Sequence, residues 1–248
     1  SFDLFLQSAE LTGDFMAYAE RCKITIWEYN DILSFLEQYD FRGPVLTDPS
    51  YTSFRILQIL QQRTRVIFGE NPTELRKAVK NPVEIENLQQ FYLLDSVALC
   101  RFLCWFRKNA GKTKITELSA AAYLDSLRAE IPGYIELSFP TISAYGKNAA
   151  MAHYAATLES DAEILPESFL LVDSGGQYLG GTTDVTRTMA AGSLTPEMKR
   201  DFTLVAVSNL ALLNAKFLYG CTGKNLDTFA RAPLWEYGLN YNHGTGHG

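Results

Sequence analysis

Phe169-Leu170-Leu171-Val172-Asp173-Ser174-Gly175-Gly176-Gln177-Tyr178, continued by Leu179-Gly180-Gly181-Thr182-Thr183-Asp184-Val185-Thr186-Arg187-Thr188-Met189, is the stretch on which the fold turns. Phe169 to Val172 is an unbroken apolar run, the pattern of a buried strand. Asp173 follows it directly, and a carboxylate there is costly unless it is paired or bound to a cation. Gly175-Gly176 bends the chain, Gly180-Gly181 reads as a hairpin turn, and Thr182 to Met189 is the return strand. A two-residue turn at Gly180-Gly181 sets Asp184 opposite Gln177, four residues beyond Asp173. Side chains alternate along a strand, so both carboxylates point to one face. Four residues of ideal strand span ~13 Å, too far for a shared pair of ions. The register therefore requires a bend or bulge at Ser174-Gly175-Gly176.

The chain has three histidines: His153, His243 and His247. The last two lie four residues apart in His243-Gly244-Thr245-Gly246-His247-Gly248. Two same-face carboxylates with an imidazole suit a dinuclear hydrolytic centre, and hard oxygen ligands favour Mn²⁺ or a similar ion. Two ions ~3.5–4 Å apart can bridge a hydroxide and polarise a scissile carbonyl. Two Asp and one His are too few for two ions, and spacing does not identify the further carboxylates required. Taken singly, each residue has a plainer reading. Asp173 could cap a turn, Asp184 could be a surface strand residue, and the glycines could serve a simple turn.

Outward from this region, 248 residues with 47% apolar content suffice for one large domain or two smaller ones. Mean hydropathy near zero and 20% charged residues describe an ordinary soluble protein. No apolar run reaches the ~18 residues needed to span a bilayer. Net charge is −6, with Lys and Arg dispersed, which argues against nucleic acid or an anionic membrane as partner. Ser1-Phe2-Asp3 shows no basic region before an apolar stretch, so no secretory signal is expected. The chain lacks an initiator Met and is expected to be processed or cut from something longer. Cys22, Cys100, Cys104 and Cys221 lack a metal-type or disulfide pattern. They are expected as reduced thiols packed as small apolar groups, in a cytoplasmic setting.

Residues 1–73 read as a partial α/β domain. Its strands are expected at Lys23–Trp27, Val45–Thr47 and Arg65–Phe68, and its helices at Asn30–Tyr39 and Ser53–Gln62. Gly69 to Thr73 reads as a linker. From residue 74 a second unit begins. Asn81-Pro82-Val83-Glu84 is a capping sequence for a long helix to about Lys108, with Ile85, Leu88, Tyr92, Val97, Leu99 and Phe102 among its apolar positions. Thr116 caps a helix to Glu130. Strands follow at Leu137–Ser143 and Ala150–Ala155, the latter holding His153. Thr195-Pro196 caps a helix to about Phe217, and Leu226–Tyr237 is a further helix.

The hairpin motif resembles the metal-binding hairpin of the pita-bread metallopeptidases, and His243 to Gly248 resembles the next ligand segment. The Thr-Thr-Asp-Val-Thr-Arg-Thr and His-Gly-Thr-Gly-His-Gly forms are most similar to the Xaa-Pro aminopeptidases. Lys77–Asn81, Asp95–Leu99, Leu137–Ser143 and His153-Tyr154 extend the likeness over about residues 74–248. The fold class implied is α/β (α+β). An incomplete pita-bread catalytic domain spans 74–248, behind part of a small creatinase-like N-terminal α/β domain over 1–73.

For the site, the resemblance implies that Asp173 chelates one metal, Asp184 bridges both and His247 binds the second. His153 and His243 would flank the substrate and move protons. The implied cofactors are two divalent ions, Mn²⁺ first, with Zn²⁺ or Co²⁺ as substitutes. The implied reaction releases the first residue of a peptide with proline in second position, through a metal-bridging hydroxide. A homodimer is implied as well. In relatives, two further glutamates and a histidine follow the segment at His247, so the 248-residue chain alone is expected to bind a metal pair poorly and not to turn over. Ala155-Ala156 stands where relatives usually have proline. The competing readings are a prolidase-type dipeptidase, and a non-catalytic pita-bread binding protein or fragment.

Overall fold

The computed structural model describes residues 2–7, 9 and 11–247. Gly248, the last residue of the His243 motif, lies outside the described residues. The chain divides into two compact units, Ser1–Lys80 and Asn81–Gly248.

The first unit is built from parallel strand pairs, as its alternation of strand and helix patterns predicts. Strand β1 (Phe2–Leu6) pairs with β2 (Ile24–Glu28), and helix α1 (Gly13–Arg21) lies between them in sequence. After α2 (Ile32–Gln38), β3 (Val45–Thr47) pairs with β4 (Val66–Phe68), with α3 (Phe54–Arg63) between them. Phe5, Trp27 and Phe35 form an aromatic cluster with ring centroids 4.8–6.4 Å apart. Asn71-Pro72, expected in a linker, instead caps and opens helix α4 (Pro72–Ala78). The Asn71 side chain accepts from Thr73 N, and Pro72 fills the first helical position.

The second unit opens on helix α5 (Pro82–Asn109), started by the expected capping box. Glu84 N donates to Asn81 Oδ1 at 3.0 Å and Asn81 N donates to Glu84 Oε2 at 2.8 Å. Its inward stripe is Asp95, Ala98, Leu99, Phe102 and Phe106, the helical repeat of one face. Ile85, Tyr92 and Val97 are exposed. The four cysteines are free, as expected, but they are exposed rather than packed. Cys100 and Cys104 fall off the buried stripe. Thr116 caps α6 (Glu117–Ala129), which packs Leu124 and Leu127 into the same core.

Six short strands follow: β5 (Tyr134–Leu137), β6 (Ile142–Tyr145), β7 (Phe169–Ser174), β8 (Gly176–Tyr178), β9 (Gly181–Thr182) and β10 (Val185–Ala190). They form two antiparallel sheets, ordered β10-β7-β6 and β5-β8-β9. The single strand expected at Leu137–Ser143 is thus two strands in two sheets. Pro140 cannot donate to a ladder, so pairing stops between them. Along β7, Leu170 and Val172 face the core of α5 and α6. Leu171 faces the other way, into a second cluster with Ile142, Ala144 and Tyr154. Asp173 shares the Leu171 side. Helix α7 (Pro196–Leu213) is capped by Thr195 as expected, and α8 (Gly223–Trp235) packs against it. Asn214 ends α7 early by donating its side-chain amide to Leu210 O.

Candidate metal centre

The hairpin register differs from the expected one and makes a shared site easier. Tyr178 pairs with Gly181 and Gln177 with Thr182, so the turn is Leu179-Gly180. The same register continues as Ser174 with Val185 and Asp173 with Thr186. Counting on by one residue sets Asp184 across from Gly175, two residues from Asp173 instead of four. The expected parity holds, and the separation along the strand drops to ~7 Å. The expected break at Ser174-Gly175-Gly176 is present as well, since β7 ends at Ser174 in one sheet and β8 begins at Gly176 in the other.

The glycines at the tip serve contact rather than turn conformation. Neither Gly180 nor Gly181 has a positive φ. A Cβ on Gly180 would lie 2.4 Å from the Phe91 ring, and one on Gly181 would lie 2.6 Å from Leu88. The tip lies against α5, which only residues without side chains permit.

The strand break beside the acids is fixed by specific bonds. Gly176 N donates to Thr183 Oγ1 at 3.0 Å, and Thr183 N donates to Gly176 O at 2.9 Å. Ser138 Oγ donates to Thr183 O at 3.0 Å, and Ser138 N donates to Gly175 O at 3.2 Å. A Cβ on Gly175 would stand 1.9 Å from Thr183 O. Behind β8, Tyr178 OH donates to Asp95 Oδ1 at 2.7 Å, and the buried Arg128 grips both Asp95 oxygens at 2.7 and 3.1 Å. Burial, reinforced by the bond to Asp95, pushes the Tyr178 phenol well above its ordinary pKa, so it remains a donor.

Asp173 Oδ1 is buried without a hydrogen-bond partner among the described residues. An unmet acceptor of this kind costs about 1–3 kcal/mol. Asp184 Oδ2 lies 3.6 Å from His247 Nε2, with the two side chains 41% and 81% exposed. A cavity of about 320 Å³ is lined by Asp173, Asp184, His247 and His153, with Phe139, Pro140 and Ile142 as its apolar wall. Four of the five expected site residues thus share one cavity. His243 does not line it. That imidazole stacks on Tyr241 and lines a second cavity of about 280 Å³ with α7 and α8 residues, including Ser208 and Leu234.

His153 lies in a turn, not in the expected strand. A 3-10 segment, Gly146–Ala150, precedes it, and Tyr154 N closes the turn onto Met151 O at 3.1 Å. Bonded to this stretch from the start of α6 is Glu117, which is fully buried. Its carboxylate accepts from Tyr145 N at 2.6 Å, Asn148 Nδ2 at 3.0 Å, Tyr154 OH at 2.7 Å and Ala162 N at 3.3 Å. Burial first, and the bond to Glu117 second, raise the Tyr154 pKa and keep its hydroxyl a donor. Glu117 does not stand out in the sequence, and Asp95 stands out only as part of the Asp95–Leu99 likeness, with no role attached. Each is one acid on an amphipathic helix, and only tertiary packing reveals its burial.

The His247 segment is held from α8 by Arg231 and Asp227. Arg231 Nε donates to Asp227 Oδ2 at 2.6 Å, while Nη1 donates to Tyr241 O at 2.7 Å and Nη2 to His243 O at 2.9 Å. Its guanidinium also lies 4.0 Å from the Tyr241 ring centroid. Thr245 Oγ1 donates to Asp227 Oδ1.

The donor set is right in kind for a hard divalent ion: an orphaned buried carboxylate oxygen and an Asp–His pair on one cavity wall. It is short in number. Among the described residues no three His, Cys, Asp or Glu side chains come together as a complete metal-holding group. The residues therefore fit part of a centre.

Residues 86–248 match metallopeptidase family M24, and residues 1–84 match the creatinase/prolidase N-terminal domain. Aminopeptidase P1 of Arabidopsis thaliana is 39% identical over 222 residues, covering 81% of this chain and 34% of that protein. Xaa-Pro aminopeptidase 2 of Homo sapiens is 35% identical, covering 100% of this chain and 38% of that protein. The crystal structure of X-prolyl aminopeptidase from Caenorhabditis elegans, described as a cytosolic enzyme with a di-nuclear active site, superposes with a TM-score of 0.92 at 32% identity. It covers 99% of this chain and 41% of that one. The chain thus spans between 34% and 41% of the length of these relatives. It belongs to metallopeptidase family M24, carrying part of the pita-bread domain behind a creatinase-type N-terminal domain.

Proposed function

We propose that this chain is part of an aminopeptidase that releases the first residue from peptides with proline in second position. Asp173, Asp184 and His247 would hold divalent ions there, Mn²⁺ first, in an enzyme working in the cytosol. The observation that carries this reading is the cavity shared by Asp173, Asp184, His247 and His153. Ions bound by such ligands would polarise the scissile carbonyl and lower the pKa of bound water. Asp173 brings an acceptor with no protein donor, so a cation there relieves a desolvation cost. His153 offers an imidazole to hydrogen-bond the peptide or move a proton during bond cleavage. Phe139, Pro140 and Ile142 form an apolar wall suited to a proline ring and exclude water from one side of the cavity. His243, held through its backbone by Arg231, would meet the substrate from the second cavity. With only these donors, the 248-residue stretch itself would bind ions weakly.

The test is hydrolysis by the full-length protein in Mn²⁺, offered Arg-Pro-Pro and the dipeptide Gly-Pro. Release of Arg from the tripeptide, lost on chelation and restored by Mn²⁺, supports the reading. Cleavage of the dipeptide alone would make the protein a prolidase. Hydrolysis of neither, by a protein loaded with metal, would make it a binding protein.

A further inference from the structure

The proposed function leaves unused the most heavily bonded carboxylate in the second unit, Glu117. It is fully buried and receives donors from two sides of the segment that carries His153. Tyr145 N and Asn148 Nδ2 reach it from before the turn, Tyr154 OH from the turn itself, and Ala162 N from beyond. The Glu117 backbone adds a bond, its N–H donating to Ala162 O at 3.0 Å. The Tyr154 ring is buried against Ile142 and Ala144, on the Asp173 side of the sheet. Among the described residues, His153 itself has no such anchor. Its place on the cavity wall is set by what holds its neighbour.

We infer that Glu117 is a positioning residue, fixing the His153 turn at the cavity through the Tyr154 hydroxyl and the Asn148 amide. The inference rests on the proposed role of His153 at the substrate. A carboxylate is required rather than any polar group. Four donors converge on two oxygens, and an amide in either orientation would put an N–H₂ against at least one of them. A small misplacement of a catalytic group can cost up to about a hundredfold in rate, so a bonded hub behind His153 would act on turnover more than on binding.

The experiment uses Glu117→Gln and Tyr154→Phe. The second keeps the buried ring and removes only the hydroxyl, so it stands if the first fails to fold. In the 248-residue chain, with only three histidines, the imidazole NMR signal of His153 should shift and broaden in both variants. The His243 signal should stay in place, and amide exchange should quicken over residues 146–156. In the full-length protein with Mn²⁺, kcat should fall about tenfold or more with KM changed less than about twofold. An unmoved His153 signal in the folded variants overturns the positioning role. A moved signal with undiminished kcat supports that role and overturns the catalytic reading of His153.

Discussion

Two arginine–aspartate clamps hold the two halves of the candidate centre, and they differ in burial. Arg128 and Asp95 are 0% and 2% exposed and anchor the arm of the hairpin that presents Asp173 and Asp184. Arg231 and Asp227 are 16% and 33% exposed and hold the segment that presents His247. The chemistry is the same, a charge-assisted pair with a tyrosine against it. The first clamp sits inside a core of helices and sheet, where the pair cannot be broken without burying a lone charge. The second gathers backbone carbonyls of a loop that has little core of its own. The hairpin acids are therefore placed by the fold, whereas the His247 segment is held by a few side-chain bonds from Arg231 and Asp227.

The sharpest way to break this contrast is Arg128→Ala, which leaves Asp95 buried and unpaired. It should cost about 3–5 kcal/mol in urea denaturation. A loss as small as that of a surface ion pair would mean that Asp95 finds another partner. Gly175→Ala comes next. Its methyl would stand 1.9 Å from Thr183 O, and backbone must move at the point where both acids are aimed. A loss of about 1–3 kcal/mol is expected, with the chemical shifts of Asp173 and Asp184 moving together.

Arg231→Ala should change the global midpoint far less, while exchange over residues 240–247 rises to that of an open loop. Acid should reproduce that variant. The bond from Thr245, and then that from Arg231, hold the Asp227 pKa below the ordinary carboxylate value. A depressed folded-state pKa gives stability that is present above the ordinary value and lost as pH falls through the lowered one. Protection factors over 240–247, exchange rates divided into those of an open chain at the same pH, should therefore fall at the acid end while the core around Arg128 keeps its own, measured by hydrogen exchange against pH. Equal responses of the two regions would erase the distinction between them.

The two clamps were not legible in the sequence, but several of the elements they hold were. Asn81, Thr116 and Thr195 announce three helix starts because capping is local chemistry. The acids Asp173 and Asp184 share a face because strand parity survives a register change of two residues. The register itself was not legible. Gly180-Gly181 reads as a turn, yet those glycines answer to Phe91 and Leu88 on a distant helix. The His153 turn escaped notice for the same reason. The carboxylate bonded to its flanks is that of Glu117, far away in sequence and ordinary in its local setting. His153 and His247 were found as motif residues, but the cavity that joins them, and separates them from His243, is tertiary.

The convergence of the two hairpin acids with His247 on a divalent ion is tested most directly by adding Mn²⁺ to the isotope-labelled 248-residue chain and following paramagnetic broadening. The account predicts that signals of Asp173, Asp184 and His247 broaden first, ahead of His243, and that Asp173→Asn removes the effect without unfolding the chain. Broadening that begins at His243 or at scattered surface carboxylates, or that survives Asp173→Asn unchanged, would contradict it.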